Sequence, residues 1–142
     1  MNYSLKNKIM SESKNQLLKL TLALYAVITL LYGITYLFFP NLQIKMAGGE
    51  PIEPGWIRWF GGVLLALGIG SIMVIRNPVK QGIYVTAMCI GSFLVSLSLI
   101  YEVIVVDFEE YNLSSTLIPA IVLFLIGVLF WMSLRKSKDI LW

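Results

Sequence analysis

The chain has 142 residues, 58% of them hydrophobic and only 13% charged. A soluble domain carries about 25% charged residues, so this composition belongs to a chain held mostly in hydrocarbon, where charge is expensive. The absence of histidine and the single cysteine, Cys89, exclude histidine-ligated haem, zinc or copper, a histidine-activated nucleophile and an intrachain disulfide.

Residues 1–16 are polar, with Ser, Asn and Lys interspersed, and predict a solvated arm, helical in part near the membrane. Span 1 follows over 17–39 and is closed by Pro40. It has full span length and no small-residue cleavage motif follows it, so it reads as a membrane helix and not as a cleaved signal. The 41–55 segment holds Gly48, Gly49, Pro51, Pro54 and Gly55 and predicts an irregular loop. Leu42, Ile44 and Met46 alternate with polar residues inside it, and a segment lying on the bilayer surface or over the bundle mouth is the alternative. Span 2 covers 56–75. Arg76-Asn77-Pro78-Val79-Lys80 is a short turn, which predicts that spans 2 and 3 are antiparallel neighbours. Span 3 runs over 81–106, and the acidic stretch 107–112 is the next turn. Span 4 runs over 115–134, with Ser114, Ser115 or Thr116 as its cap and Pro119 in its first turn. Asn112-Leu113-Ser114 matches a glycosylation acceptor, but Ser114 fits a helix cap better. Arg135-Lys136-Ser137-Lys138 opens a tail over 135–142.

The charges between these spans sort by sign. Of the eleven basic residues, all except Lys45 and Arg58 fall at the ends bearing the two termini and the 76–80 turn. Of the eight acids, all except Glu12 and Asp139 fall at the opposite ends. The excess of Lys and Arg on one side predicts that both termini are cytoplasmic. It also accounts for the net charge of +3 without nucleic-acid binding. The expected fold is all-α: a polytopic membrane protein forming an antiparallel bundle of four transmembrane helices.

Three constellations lie inside the spans. Gly62, Ala66 and Gly70 recur every four residues on one face of span 2, a spacing that lets a neighbouring backbone approach closely in lipid. Ala87 and Gly91 answer on span 3, beside Ser92 and Ser96, so tight packing of spans 2 and 3 is expected, with a dimer contact as the alternative. On span 1, Thr21, Tyr25, Thr29, Tyr32 and Tyr36 follow at intervals of three or four and share one face. Hydroxyl groups are poorly placed against lipid tails, so this face should point into the bundle, as core or as the wall of a ligand cavity.

The third constellation is Arg58 and Glu102, two charges within the apolar runs on the same side and at similar depth. A lone charge there costs about a few kcal/mol, so an ion pair locking spans 2 and 3 is expected, with Ser98 one turn from Glu102 as a further partner. The alternative is an outward pocket in which Glu102 handles a proton and Arg58 holds an anionic or carbonyl group. Trp56, Trp59 and Tyr101 gather at the same level, as interface anchors or as the lining of that pocket, while Trp131 and Trp142 fit the opposite aromatic belt.

The segment Arg58-Trp59-Phe60-Gly61-Gly62-Val63-Leu64-Leu65-Ala66-Leu67-Gly68-Ile69-Gly70, after a long first span with a Pro-ended outer loop, resembles the DoxX-like group of small four-helix bacterial membrane proteins. The resemblance covers the layout of all four spans and rests specifically on Arg58, Gly61 and Gly62. It implies a bacterial cytoplasmic membrane protein, in a group with members implicated as subunits of quinone-linked oxidoreductase systems. Small multidrug transporters need an acid in the middle of span 1, which is absent here, and a vitamin K reductase-like enzyme needs a cysteine pair. The expected function is that of a non-enzymatic accessory or scaffold subunit, with no metal or cofactor and with a second copy or another membrane protein as partner in the lipid bilayer. The first alternative is a binding protein or redox-linked enzyme for a quinone or lipid, held near Arg58, Glu102, Trp56, Trp59, Tyr32, Tyr36 and Tyr101. The second is a proton-coupled exporter working through Glu102.

Overall fold

Long apolar runs with proline only near their ends satisfy nearly all of their backbone groups within the segment, which hydrocarbon demands. The computed structural model describes residues 3–46, 48, 55–105 and 113–142, with the side chains of those from 16 onward except Gln43. The acidic stretch 107–112 with the Asn112 acceptor, the Gly/Pro residues of 49–54, and the side chains of Lys6, Lys8, Glu12 and Lys14 lie outside the described residues.

The elements in order are α1 (Tyr3–Phe38), α2 (Pro40–Met46), α3 (Gly55–Arg76), α4 (Gly82–Val105), α5 (Leu113–Lys136) and α6 (Lys138–Leu141), with no strand among the described residues. Four stretches, 16–38 of α1 and the whole of α3, α4 and α5, are 22 to 24 residues long and apolar enough to cross a membrane. The polar arm is not a separate element. It continues span 1 as one helix of 36 residues, which at 1.5 Å per residue extends roughly 54 Å, well beyond a hydrocarbon core of about 30 Å.

The expectation of an irregular loop after span 1 is corrected over its first turns. Residues Pro40–Met46 form α2, because Pro40 occupies the first helical position, where its fixed φ and missing N–H cost nothing. The Leu42 N–H donates to the Phe39 carbonyl at 3.0 Å, so the new helix starts directly where α1 stops. Pro119 is also placed differently from the expectation. Because α5 begins at Leu113, the proline lies in its second turn, where it has no N–H to offer the Ser115 carbonyl.

The registers of the long helices follow from small residues. Gly33 of α1 faces Leu65 and Gly61 of α3, Gly61 faces Leu37 and Tyr36, and Gly68 faces Leu30 and Thr29. Between α4 and α5, the Cys89 thiol points at the Gly127 carbonyl at 3.5 Å, and Phe93 lies on Gly127 and meets Phe124 edge-on with ring centroids 5.5 Å apart. One turn on, the Ser96 hydroxyl donates to the Ala120 carbonyl at 2.8 Å. Between α1 and α5, Tyr25 meets Phe130 edge-on at 5.3 Å, and the Thr21 and Ser133 hydroxyls are 3.3 Å apart. Since Thr21 already donates to the Leu17 carbonyl, Ser133 is the donor of that pair.

These contacts correct the expected tight packing of spans 2 and 3. The chief partner of α3 is α1, and that of α4 is α5, with α1 running along α5. The 77–81 turn ties α3 and α4 only at one end, where Tyr84 bridges them by donating to the Leu67 carbonyl at 2.7 Å, with the Ser71 hydroxyl 3.1 Å away. The core cluster gathers near that end, which we call the turn end: Leu18, Leu22, Val74, Val85, Met88, Phe130 and Leu141 belong to it. The far ends of α1, α3 and α4, the loop end, carry exposed Trp56, Trp59 and Tyr101.

Candidate functional site

The loop end carries the residues singled out as a pocket or ion pair. Arg58 and Glu102 are both exposed, on helices that are not mutual packing partners, and no ion pair joins them among the described residues. Ser98 is likewise exposed and makes no bond to Glu102. The expected lock between spans 2 and 3 is therefore absent from the structure. Position along a helix axis does not set the lateral distance between two helices.

Around these charges, Trp56, Trp59 and Tyr101 are also exposed. Tyr36 is partly buried and makes two ring contacts: edge-on with Tyr32 at 5.8 Å, and tilted at 37° to Phe60 of α3 at 5.9 Å. The structure thus brings Tyr32, Tyr36 and Phe60 together, and leaves Trp56, Trp59, Tyr101, Arg58 and Glu102 facing outward.

The hydroxyl stripe of α1 divides in two. Thr21, Tyr25 and Thr29 are buried. The Thr29 hydroxyl returns to its own helix, donating to the Tyr25 carbonyl at 2.8 Å, so the inner half of the stripe fills the core. The outer half, Tyr32 and Tyr36, forms the ring cluster at the loop end.

Gly62, Ala66, Ala87 and Gly91, expected to join spans 2 and 3, face outward instead, the placement that the alternative of a dimer contact requires. Gly62 and Ala66 are exposed, and a Cβ on Gly62 would meet nothing within 4 Å. Ala87 is exposed, and Gly91 is similarly open. Of the α3 stripe only Gly70 makes a close contact, with the Tyr84 ring. The glycines that admit a neighbour are Gly33, Gly61, Gly68, Gly70, Gly82 and Gly127. Gly61 and Gly68 are two turns apart and share a face with buried Ile57, so a seven-residue spacing was the available signal. The Tyr84 bridge had none, since a tyrosine in an apolar helix is equally at home against lipid headgroups.

Chemically, the described side chains offer hydroxyl hydrogen bonding and aromatic surface. No group of three or more His, Cys, Asp or Glu residues could hold a metal ion among the described residues. The chain matches no family model, no curated protein and no solved structure.

Proposed function

We propose that this chain is a non-enzymatic accessory or scaffold subunit of a membrane assembly. It sits as an antiparallel four-helix bundle in a bacterial cytoplasmic membrane with both termini inside. The observation that carries this reading is the outward face of α3, where Gly62 and Ala66 lie exposed while Gly61 and Gly68 are consumed by α1. In lipid, close approach of backbones is a principal source of helix association, and here one such face has no partner among the described residues. The falling register of α3 against rising α1, from Gly68 at Leu30 to Gly61 at Leu37, supports the antiparallel arrangement. The distribution of Lys and Arg supports the orientation, and the 58–70 resemblance to DoxX-like proteins supports both membrane and role.

The test is the size of the complex released from membranes in mild detergent. The reading predicts a discrete species larger than the 16.0 kDa chain, reduced by Ala66→Phe with helical content kept. A chain that stays monomeric and indifferent to Ala66→Phe contradicts it. A second reading, a binder of a quinone or lipid ring, is favoured by one feature: Tyr32, Tyr36 and Phe60 form an aromatic cluster at the loop end, with Tyr32 partly open. It predicts a copurifying hydrophobic molecule that Tyr36→Ala releases.

A further inference from the structure

The turn end is assembled by the last residues of the chain. Leu141 is 1% exposed and enters the core cluster. The Ile140 carbonyl accepts the Lys80 N–H at 3.1 Å, with Lys80 held at φ 59°, a left-handed backbone uncommon outside glycine. Trp142 lies so close on Gly82 that a Cβ there would come within 2.5 Å of the indole. The tail is therefore not a free extension. It folds back on the turn between α3 and α4.

This folding collects charge. Arg76 and Lys80 on the turn, and Arg135, Lys136 and Lys138 at the end of α5 and on α6, are all exposed. Lys19 of α1 is exposed at the same end, two residues before Thr21, which meets Ser133. Asp139 is the only acid described there. Apolar surface borders these cations: Val79 and Ile83 are exposed beside Lys80, and Trp142 is exposed on its free side. The Arg135 guanidinium lies 3.9 Å from the centre of the exposed Trp131 ring, which holds it over the indole face.

We propose that this basic collar is a binding site for anionic phospholipid, with the phosphate held between the turn and the folded-back tail and an acyl chain along Val79 and Ile83. A phospholipid fits better than a soluble anion because the cations end helices of membrane-crossing length, at headgroup depth, with apolar side chains directly below. Lys and Arg reach such a site by laying their stems along apolar surface. The site is more than a general excess of charge, because the Lys80–Ile140 bond and the Trp142–Gly82 contact fix two basic segments side by side.

Native mass spectrometry of the whole chain in mild detergent tests this, titrating phosphatidylglycerol, phosphatidylcholine and inorganic phosphate. The expected result is retention of phosphatidylglycerol over phosphatidylcholine, undisturbed by millimolar phosphate. Lys80→Gln with Lys138→Gln, both at exposed positions, should weaken phosphatidylglycerol binding about fivefold per cation removed. Gly82→Ala keeps every charge but displaces Trp142, and should also weaken binding several-fold. Equal binding of the two lipids, or no effect of the double substitution, overturns the proposal. Unchanged binding in Gly82→Ala overturns an assembled site in favour of diffuse charge, and displacement by phosphate alone shows a soluble-anion site instead.

Discussion

Gly61 and Gly62 are neighbours in the chain, yet the structure assigns them opposite responses to the same added methyl group. At Gly61 a Cβ would lie 2.7 Å from the Leu37 backbone nitrogen and 3.0 Å from the Gly33 carbonyl oxygen. Neither atom can rotate away, so α1 and α3 must separate. Overpacking of a close interface costs about 1–3 kcal/mol, and backbone neighbours push the value to the upper part of that range. Alanine's better helix propensity returns up to about 1 kcal/mol, leaving Gly61→Ala destabilising by about 1–2 kcal/mol. At Gly62 nothing lies within 4 Å, so only the propensity remains, and Gly62→Ala should be neutral or stabilising by up to about 1 kcal/mol. The assay is reversible unfolding of the dissociated chain in mixed micelles, read by circular dichroism against the mole fraction of denaturing detergent. The reasoning is refuted if both variants lose the same stability, or if Gly62→Ala loses more, because α3 would then pack on α1 through the other face.

The same packing sets three further outcomes. Tyr25 is only 6% exposed and its hydroxyl makes no hydrogen bond among the described residues, so Tyr25→Phe should leave stability unchanged or raise it by about 1 kcal/mol; a clear loss in the same unfolding assay would reveal a bound partner at that hydroxyl. Leu141→Ala removes a fully buried side chain from the core cluster and should cost about 2–5 kcal/mol; an unchanged unfolding midpoint would mean the tail is not docked. Arg58→Ala and Glu102→Gln should be additive within about 0.5 kcal/mol in a double-mutant cycle, since no ion pair joins these residues; coupling well above that would mean they meet.

The spans were legible because hydrocarbon imposes a length and an apolar composition that runs such as 82–105 meet without competing patterns. The continuation of the arm into α1 was less so, since a polar Ser, Asn and Lys sequence reads equally well as coil. Which faces meet was legible on α1, whose Thr21, Tyr25 and Thr29 turn inward as expected, but not on α3. Gly62 and Ala66, and Gly61 and Gly68, are both plausible close-packing sets on one helix, separated by a rotation of about 100°, and periodicity names a face without naming its partner. The same ambiguity explains Arg58 and Glu102: their depth along the axis could be read, but the order of helices around the bundle sets their separation. The tail was missed for a different reason. Its docking depends on a backbone carbonyl at Ile140, a left-handed Lys80 and the bare Gly82 surface, none of which leaves a pattern in side-chain hydropathy.

The most direct test of the central claim is cross-linking in intact membranes through a cysteine placed at Gly62. Cys89, the only native cysteine, is buried within the α4–α5 interface, so Gly62→Cys supplies the sole exposed thiol. A face that docks a partner should give a discrete cross-linked species with a short thiol reagent, while Ile118→Cys, also exposed but on α5, should give none. No product at Gly62, or equal products at both positions, would contradict the accessory-subunit account.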